Sequence, residues 1–580
     1  MSFFAELLGL RFLVAPGDVA LLVLPVPRFD EDDVVLADPD PLLHPAGDPC
    51  GALDAVGTPD LHAVRPQHIR DDGEHLVVVG HPEVASPPVL VVAHTRPFVA
   101  PRFKFCESRR IFRCGRFRAV SPEPPRSPRQ PPDDSLIRPP SVPLGMASDT
   151  LLVSGGRVLR PDSDVVEADV LVDREDGRIV EIGPDLATDR DADETLDASG
   201  GIVMPGLVNA HTHVAMTLLR GYADDKPLDA WLREDIWPAE AELTAEDVRA
   251  GTELGLVEMI RSGTTTFADM YFHVPEVVAA VDEAGMRARL GHGVVTVGKD
   301  DEAARADVRE SLDVAREYDG AADGRVRTAV MPHSLTTVDE DLLREAVAEA
   351  HEDGIPVHTH ANETRDEVDP IIEERSKRPL AYADDVGLLS DTDFLAHGVH
   401  VDESEIDLLA ERGTAVVHCP ASNMKLASGI APVQDFLDAG VPVALGTDGA
   451  ASNNDLDLFD ELRDAAMLGK LGADDAAAVP AAEAVRMATQ GGATALSLPG
   501  GRIEAGSAAD LAVVDLDAPH LAPAHDLVSH LAYAVRGSDV RHTVCDGRVL
   551  MRDREVLTLD AERVVETARK RAVDLVARAE

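Results

Sequence analysis

The chain has 580 residues and 44% hydrophobic side chains, which is enough apolar surface for a large core and more than one domain. Its 105 acidic and 54 basic side chains give a formal net charge of −51, and a surface of that sign disfavours nucleic-acid and anionic-membrane partners. No apolar run approaches the roughly 20 residues that a spanning helix needs, and the N-terminus has no basic segment typical of a secretory signal. The five cysteines form no close pairs, which is typical of a reducing compartment. We therefore expect an acidic cytoplasmic protein.

The basic side chains are mostly arginine, because the chain has only seven lysines. Abundant carboxylates with scarce lysine favour a surface that stays hydrated at high salt, where screening relieves its self-repulsion. We interpret this composition as that of an acidic, salt-adapted proteome.

Residues 1–145 differ from the rest of the chain. They contain 23 of the 40 prolines, and residues 121–144 cannot sustain a helix or a central strand, because proline lacks the amide donor and restricts φ. Met146 then begins a stretch of ordinary globular composition. We expect residues 1–145 to be an atypical Pro-rich extension that is either disordered or the product of a start site placed too far upstream.

Short apolar alternations punctuated by Gly, Asp and Pro predict antiparallel strands near both ends of the remaining chain. We assign residues 146–204 and 500–556 to the two parts of one composite β-sandwich. Residues 205–499 lie between them, and residues 557–580 are predicted to form a C-terminal helix.

The central region alternates strand-like runs with helical stretches such as 245–261 and 340–353. Eight such units fit an α/β fold of the (β/α)8 TIM-barrel type, whose usual size is about 250 residues. A doubly wound open sheet is the alternative, but no glycine-rich phosphate fingerprint follows the first strand. The predicted strands are 202–209, 264–270, 287–295, 326–333, 355–360, 394–399, 414–420 and 441–447.

Polar residues follow the predicted barrel strands at the end where catalytic groups of this fold gather. His211 and His213 follow the first strand, and alternate residues of a strand share a face, so both imidazoles point the same way. With His360 after the fifth strand and Asp448 after the eighth, they predict a site of three imidazoles and one carboxylate. Zn²⁺ suits such a donor set, and Fe²⁺, Mn²⁺ and Ni²⁺ are alternatives.

Several motifs together resemble the amidohydrolase superfamily over residues 146–556. They are PGLVNAHTH (205–213), HTHANET (358–364), LAHG (395–398) and GTDGAASNN (446–454). Residues 211–244, HTHVAMTLLRGYADDKPLDAWLREDIWPAEAELT, are similar to the 5′-methylthioadenosine/S-adenosylhomocysteine deaminases. This resemblance implies a zinc-dependent aminohydrolase that acts on cyclic amidines and converts such nucleosides to the inosine analogue and ammonia.

The expected number of metal ions depends on whether a lysine stands at the end of strand 4. Hydantoinase-like members of the superfamily bridge two metals with a carboxylated lysine at the end of strand 4. Here strand 4 ends in VMPHS, and no lysine lies between Lys299 and Lys377. We therefore expect a single divalent ion.

The resemblance also implies roles in proton transfer. Glu363 would protonate the ring nitrogen beside the attacked carbon, Asp448 would bind the metal and accept the proton of the attacking water, and His397 would hold the developing alkoxide. Taken alone, Glu363 could instead be a carboxylate at a helix N-terminus, and His397 an ordinary core histidine.

Three further residues are assigned to substrate binding, together with Glu363 and Asp448. By resemblance, His333 contacts the substrate and Glu240 accepts hydrogen bonds from the ribose hydroxyls. Trp231 is predicted either to wall the nucleoside or to pack in the core.

Two alternative functions stay open at this stage. The first keeps the metal and changes the substrate to a free base or related ring, as in guanine or cytosine deaminases, s-triazine hydrolases or imidazolonepropionase-like enzymes. The second is a non-catalytic scaffold, which the complete set of metal and proton-transfer residues disfavours. The expected partner is a small-molecule nucleoside, within a monomer or a homo-oligomer.

Overall fold

The computed structural model describes residues 22–25, 75–79, 89–93 and 149–580. The first three segments are the strands β1 (Leu22–Pro25), β2 (His75–Val79) and β3 (Val89–Ala93), which pair antiparallel in the order β1-β3-β2. Apart from them, the extension predicted over residues 1–145 lies outside the described residues. Residues 149–580 form the continuous part of the described chain.

The strands of this continuous part form two sheets at its ends and a barrel between them. In chain order they are β4 Thr150–Ser154, β5 Arg157–Leu159, β6 Val165–Glu167, β7 Asp169–Asp173, β8 Arg178–Gly183, β9 Glu194–Asp197, β10 Ile202–Pro205, β11 Leu207–Thr212, β12 Thr264–Tyr271, β13 Arg287–Val294, β14 Val326–Thr328, β15 Met331–Pro332, β16 His358–Ala361, β17 Phe394–His397, β18 Ala415–His418, β19 Val443–Leu445, β20 Leu511–Val514, β21 Val540–Cys545, β22 Arg548–Arg552 and β23 Glu555–Val556.

The helices cover the barrel and connect its strands. The α-helices are α1 Leu186–Asp189, α2 Leu228–Trp231, α3 Trp237–Glu240, α4 Ala245–Arg261, α5 Val274–Ala284, α6 Asp301–Tyr318, α7 Glu340–Glu352, α8 Arg365–Arg375, α9 Pro379–Asp385, α10 Glu403–Arg412, α11 Pro420–Lys425, α12 Val433–Ala439, α13 Leu458–Gly472, α14 Ala481–Arg486, α15 Gly492–Ala495, α16 Leu527–Tyr533 and α17 Ala561–Ala579. Short 3-10 helices span Val214–Leu219, Ala322–Gly324, Pro519–Leu521 and Gly537–Asp539, and π-helical turns span Leu232–Ile236 and Met487–Gly491. Among the described residues, we find no helix with the length and apolar content to cross a bilayer.

The two end sheets combine strands from both ends of the described chain. One sheet has the order β23-β22-β21-β20-β10-β5-β6, and the other has the order β8-β7-β4-β9. Their apolar faces share one core, in which Leu151 and Val170 of the smaller sheet cluster with Val203 and Val513 of the larger one. This is the sandwich architecture, in which two inner faces bury each other's side chains.

The barrel is built from parallel strands in two runs, β11-β12-β13-β14 and β16-β17-β18-β19, with β15 paired to β13. The His358 amide donates to the Val330 carbonyl at 3.0 Å and joins the two runs on one side. The Asp448 amide donates to the His211 carbonyl at 3.0 Å and joins them on the other. The predicted fold class, a (β/α)8 barrel with a composite sandwich, is confirmed.

One predicted strand, 202–209, is in fact two strands that belong to different sheets. Gly206 separates β10 in the sandwich from β11 in the barrel, and its amide donates to the Asp510 carbonyl at 2.9 Å. A Cβ at Gly206 would lie 2.3 Å from the Thr265 side chain, so glycine permits the close approach at this junction. Period-2 patterning cannot show this division, because both strands are buried throughout.

Polar contacts fix the barrel to its surroundings. Helix α4 begins at the predicted residue with a capping box in which Thr244 and Asp247 bond reciprocally. Asp247 also accepts from Arg578 of α17 at 2.5 Å. On the sandwich side, Arg287 of β13 pairs with the buried Asp510 at 2.8 Å.

Candidate active site

Four side chains converge where the barrel strands end. One ligand atom from each of His211, His213, His360 and Asp448 lies within 4.8 Å of the others. The Nε2 atom of His213 is 3.2 Å from Asp448 Oδ1 and 3.2 Å from His360 Nε2, and His211 Nε2 is 3.5 Å from Asp448 Oδ1. The structure thus brings together the four side chains that the sequence predicts as metal ligands.

The hydrogen bonds on the far side of two rings determine their tautomers. The Nδ1 atom of His213 lies 2.7 Å from the Met270 carbonyl, and the Nδ1 atom of His360 lies 2.6 Å from the His333 carbonyl. Because a carbonyl oxygen can only accept, each Nδ1 carries the hydrogen. In the neutral rings, each Nε2 therefore directs a lone pair into the cluster.

A second histidine fixes His211 in the same tautomer, with the hydrogen on Nδ1. The Nδ1 atom of His358 lies 2.9 Å from the Phe394 carbonyl, so His358 Nε2 is an acceptor in the neutral ring. That atom lies 2.8 Å from His211 Nδ1, which must therefore donate. Among the residues that the structure describes, the buried Nε2 atom of His211 has no hydrogen-bond partner, and it faces the cluster.

Three lone pairs and a carboxylate oxygen that face one another repel unless a cation lies between them. Burial lowers the pKa of His211 to about 4, which favours the neutral ring. Burial also acts to lower the pKa of His213, but the facing Asp448 carboxylate outweighs it and raises that pKa to about 9, so this ring attracts a positive charge into the cluster at neutral pH. The same contacts hold the pKa of Asp448 well below its usual range despite its burial. The donor set therefore fits a divalent cation.

The backbone at Asp448 is held in an unusual conformation. Its φ is 61°, a left-handed value that is uncommon for residues with a Cβ, although aspartate adopts it more readily than most. The hydroxyls of Ser422 and Ser452 donate to Oδ2 at 2.6 and 2.9 Å, and the Gly449 amide donates to Oδ1 at 2.9 Å. These contacts direct the carboxylate at the histidines.

Glu363 and His397 lie beside the cluster and face each other. Glu363 is 8% exposed, its Oε1 accepts from the Ser428 hydroxyl at 3.1 Å, and its Oε2 is 3.7 Å from His397 Nε2. Burial raises the pKa of Glu363, although His397 and the Ser428 hydroxyl oppose that shift. The His397 ring stacks on His360 with 5.4 Å between centroids, and its Nδ1 is 3.0 Å from Asn423 Oδ1.

Two of the three further substrate-binding candidates lie near these groups. The His333 ring is 4.7 Å from that of His360, and burial together with the neighbouring histidines lowers its pKa to about 3. Burial raises the pKa of Glu240 to about 7, a shift that the Tyr271 hydroxyl and the charge of His213 oppose. Contact of either side chain with a bound nucleoside stays a prediction.

Trp231 is placed in the hydrophobic core. It is 4% exposed, and its indole N–H donates to the Ala223 carbonyl at 3.1 Å. These contacts are those of the packing alternative, and a role as a wall of the substrate pocket stays a prediction.

Sequence reasoning missed the side chains that hold the predicted ones in place. His358 is part of a visible H-x-H pattern, but its position behind His211 depends on how the barrel closes. Four others come from the loops after strands β18 and β19, where the only signal is the polar run SNMKLAS at 422–428 and the serine in GAASNN. These are Ser422, Asn423, Ser428 and Ser452.

Comparisons with known proteins match this chain to one family and to deaminases of adenosine analogues. A model of the amidohydrolase family matches residues 202–550. A 5-methylthioadenosine/S-adenosylhomocysteine deaminase of Haloquadratum walsbyi is 67% identical over 441 residues, which are 75% of this chain and 100% of that protein. A 5′-deoxyadenosine deaminase of Methanosarcina acetivorans is 48% identical over 405 residues, 70% of this chain and 93% of that protein.

The fold is also similar to a solved structure. An adenosine deaminase from Xanthomonas campestris with bound zinc has a TM-score of 0.70 and 39% sequence identity. The match covers 74% of this chain and 98% of that one.

Proposed function

Because this chain belongs to the amidohydrolase family and, within it, to the 5-methylthioadenosine/S-adenosylhomocysteine deaminases, we propose that it deaminates adenosine analogues by hydrolysis. The substrates are 5′-methylthioadenosine, S-adenosylhomocysteine or both, with 5′-deoxyadenosine and adenosine as further candidates. Water replaces the exocyclic amino group, and the products are the inosine analogue and ammonia. The observation that carries this proposal is the buried Glu363 carboxyl beside a cluster of three imidazoles and one aspartate.

His211, His213, His360 and Asp448 would hold one divalent cation. We propose zinc, because mixed imidazole and carboxylate ligands suit it and the Xanthomonas relative contains it. Fe²⁺, Mn²⁺ and Ni²⁺ are alternatives with the same ligand types. When bound, such a cation acts as a Lewis acid that lowers the pKa of water to about 7.

The remaining chemistry belongs to side chains of this protein. Burial raises the pKa of Glu363, which favours its protonated form, and this carboxyl would deliver its proton to the ring nitrogen beside the reacting carbon. Asp448 has a depressed pKa, so it is ionised and can accept a proton from the attacking water. Asn423 Oδ1 accepts from His397 Nδ1, so His397 would donate from Nε2 to the oxygen at the reacting carbon in its imidazolium form, in which both ring nitrogens carry hydrogen.

Substrate recognition is assigned to the same mouth of the barrel. Glu240 would accept hydrogen bonds from the ribose hydroxyls, and His333 would contact the bound nucleoside. A free base has no ribose, so Glu240 also distinguishes this proposal from a base deaminase. In Glu240→Gln, we expect weaker binding of nucleosides and unchanged binding of free bases, measured by calorimetry.

The activity is tested by ammonia release from a panel of compounds. The panel holds 5′-methylthioadenosine, S-adenosylhomocysteine, 5′-deoxyadenosine, adenosine, guanine and cytosine. We expect turnover of the 5′-substituted adenosines. Activity confined to guanine or cytosine would refute the proposal in favour of a base deaminase.

The setting of the reaction is part of the proposal. We propose that the enzyme acts in the cytoplasm and that its partner is a small-molecule nucleoside. We do not expect it to bind nucleic acid or a membrane. Sedimentation of the purified protein distinguishes a monomer from a homo-oligomer.

A further inference from the structure

The segment 419–429 follows β18, the seventh strand of the barrel, and contains α11. It is called the strand-7 loop below. We propose that this one loop positions all three of the catalytic side chains Glu363, His397 and Asp448, through Ser422, Asn423 and Ser428. The inference rests on the proposed function, because the three groups are those assigned to the deaminase reaction. It adds three positioning residues that hold other side chains and need not touch the substrate.

Each of the three residues contacts a different group. Ser422 donates to Asp448 Oδ2 at 2.6 Å. Asn423 Oδ1 lies 3.0 Å from His397 Nδ1. Ser428 donates to Glu363 Oε1 at 3.1 Å. The three contacted groups come from three different barrel strands, whereas their partners lie within seven consecutive residues.

The positioning side chains are themselves buried. Ser422 and Asn423 are 0% exposed and Ser428 is 6% exposed. Bound water therefore cannot readily replace their hydrogen bonds, and an unpaired partner would keep its full desolvation cost.

The loop is anchored on both sides, so it can act as a rigid support. At its start, the Ala421 amide donates to Glu461 Oε2 of α13 at 3.2 Å. At its end, the Ser428 carbonyl accepts from His400 Nε2 at 2.7 Å, and the Ser428 amide donates to the Asn423 carbonyl at 2.9 Å. The last of these bonds ties the partner of Glu363 to the partner of His397.

Ser428 is the most informative position of the three. Asp448 also accepts from Ser452 and Gly449, so it keeps support without Ser422. Among the described residues, Ser428 supplies the one side-chain hydrogen bond to the Glu363 carboxyl. Without the Ser428 hydroxyl, the Glu363 carboxyl loses this contact and can move. A displacement of about 1 Å is enough to lower the rate of a reaction that depends on its position.

The experiment compares Ser428→Ala with Ser311→Ala in the full-length protein. Ser311 is 0% exposed and donates to the His292 carbonyl at 3.0 Å, so its substitution removes a similarly buried hydroxyl from another part of the barrel. We would measure kcat and KM with the analogue that the wild-type enzyme turns over best, the bound metal by elemental analysis, and the position of Glu363 in a crystal structure of the variant.

We expect Ser428→Ala to lower kcat about 10- to 100-fold, the range typical of groups that orient active-site side chains. KM should stay within about threefold, because the lost contact orients a group that acts in the transition state. Metal content should not change, the Glu363 carboxyl should be displaced, and Ser311→Ala should retain wild-type kinetics.

Three outcomes would overturn the inference. They are a kcat within about twofold of wild type, a loss of kcat that Ser311→Ala shares, and a Glu363 carboxyl that keeps its place in the variant. If Ser428→Ala is too unstable to purify, Ser428→Cys, whose slightly larger thiol fills the site and is a weaker donor, takes its place with the same criteria. A wild-type enzyme inactive on every adenosine analogue would refute the proposed function instead, and the crystal structure would still test the positioning.

Discussion

Replacing Glu363 by glutamine tests the assignment of the proton donor most directly. Glutamine has nearly the same shape, and its carbonyl oxygen can still accept from the Ser428 hydroxyl that now donates at 3.1 Å. The amide cannot deliver or take up a proton at neutral pH. Because Glu363 lies outside the group of four candidate ligands, we expect the bound metal to be retained.

The size of the effect follows from what the carboxyl supplies. A positioned general acid or base contributes about 100- to 10,000-fold, which corresponds to about 2.7 to 5.4 kcal/mol in the barrier. We therefore expect kcat for ammonia release to fall by that factor, with the melting temperature and metal content unchanged.

The matched control is Glu253→Gln on α4. Glu253 is also 8% exposed and pairs with Arg249 outside the site, so this variant should keep full activity. If Glu363→Gln retained more than a tenth of the wild-type kcat, Glu363 would not be the group that transfers the proton.

Three further predictions concern the metal, the barrel support and the surface. His211→Ala should lose both the bound metal and ammonia release, because the substitution removes one of the three imidazole nitrogens that face the cluster. Elemental analysis measures the metal, and a variant with full metal content would contradict the ligand assignment. Arg287→Met should lower the free energy of unfolding by about 3–5 kcal/mol, because the Asp510 side chain, which is 1% exposed, loses its charged partner. The control Arg327→Met removes an arginine that is 49% exposed in its ion pair and should change that free energy by less than about 1 kcal/mol. Denaturant titration measures both variants, and equal losses would refute the predicted difference. With a formal net charge of −51, the protein should lose stability when salt is lowered from about 1 M to 0.1 M, and a melting temperature indifferent to salt would exclude salt adaptation.

The sequence alone predicts those features that depend on local pattern. Alternating β and α runs indicate the barrel, and the position of a polar residue after a strand indicates that it lies at the mouth. His211 and His213 share a face because a strand has a period of two, and this holds whatever the strand pairs with. His360, His397 and Asp448 are assigned to one end of the barrel because each stands at the end of a predicted strand.

The tertiary structure decided everything that depends on register and loop path. The hydrogen bond between His211 and His358 spans 147 positions, and it determines which nitrogen of His211 carries the hydrogen. The contact of Ser428 with Glu363 spans 65 positions, and Trp231 proved to pack in the core. Local patterns encode which face or end a side chain occupies, but the partner it meets there depends on barrel closure and on the course of the loops, which distant parts of the chain determine together.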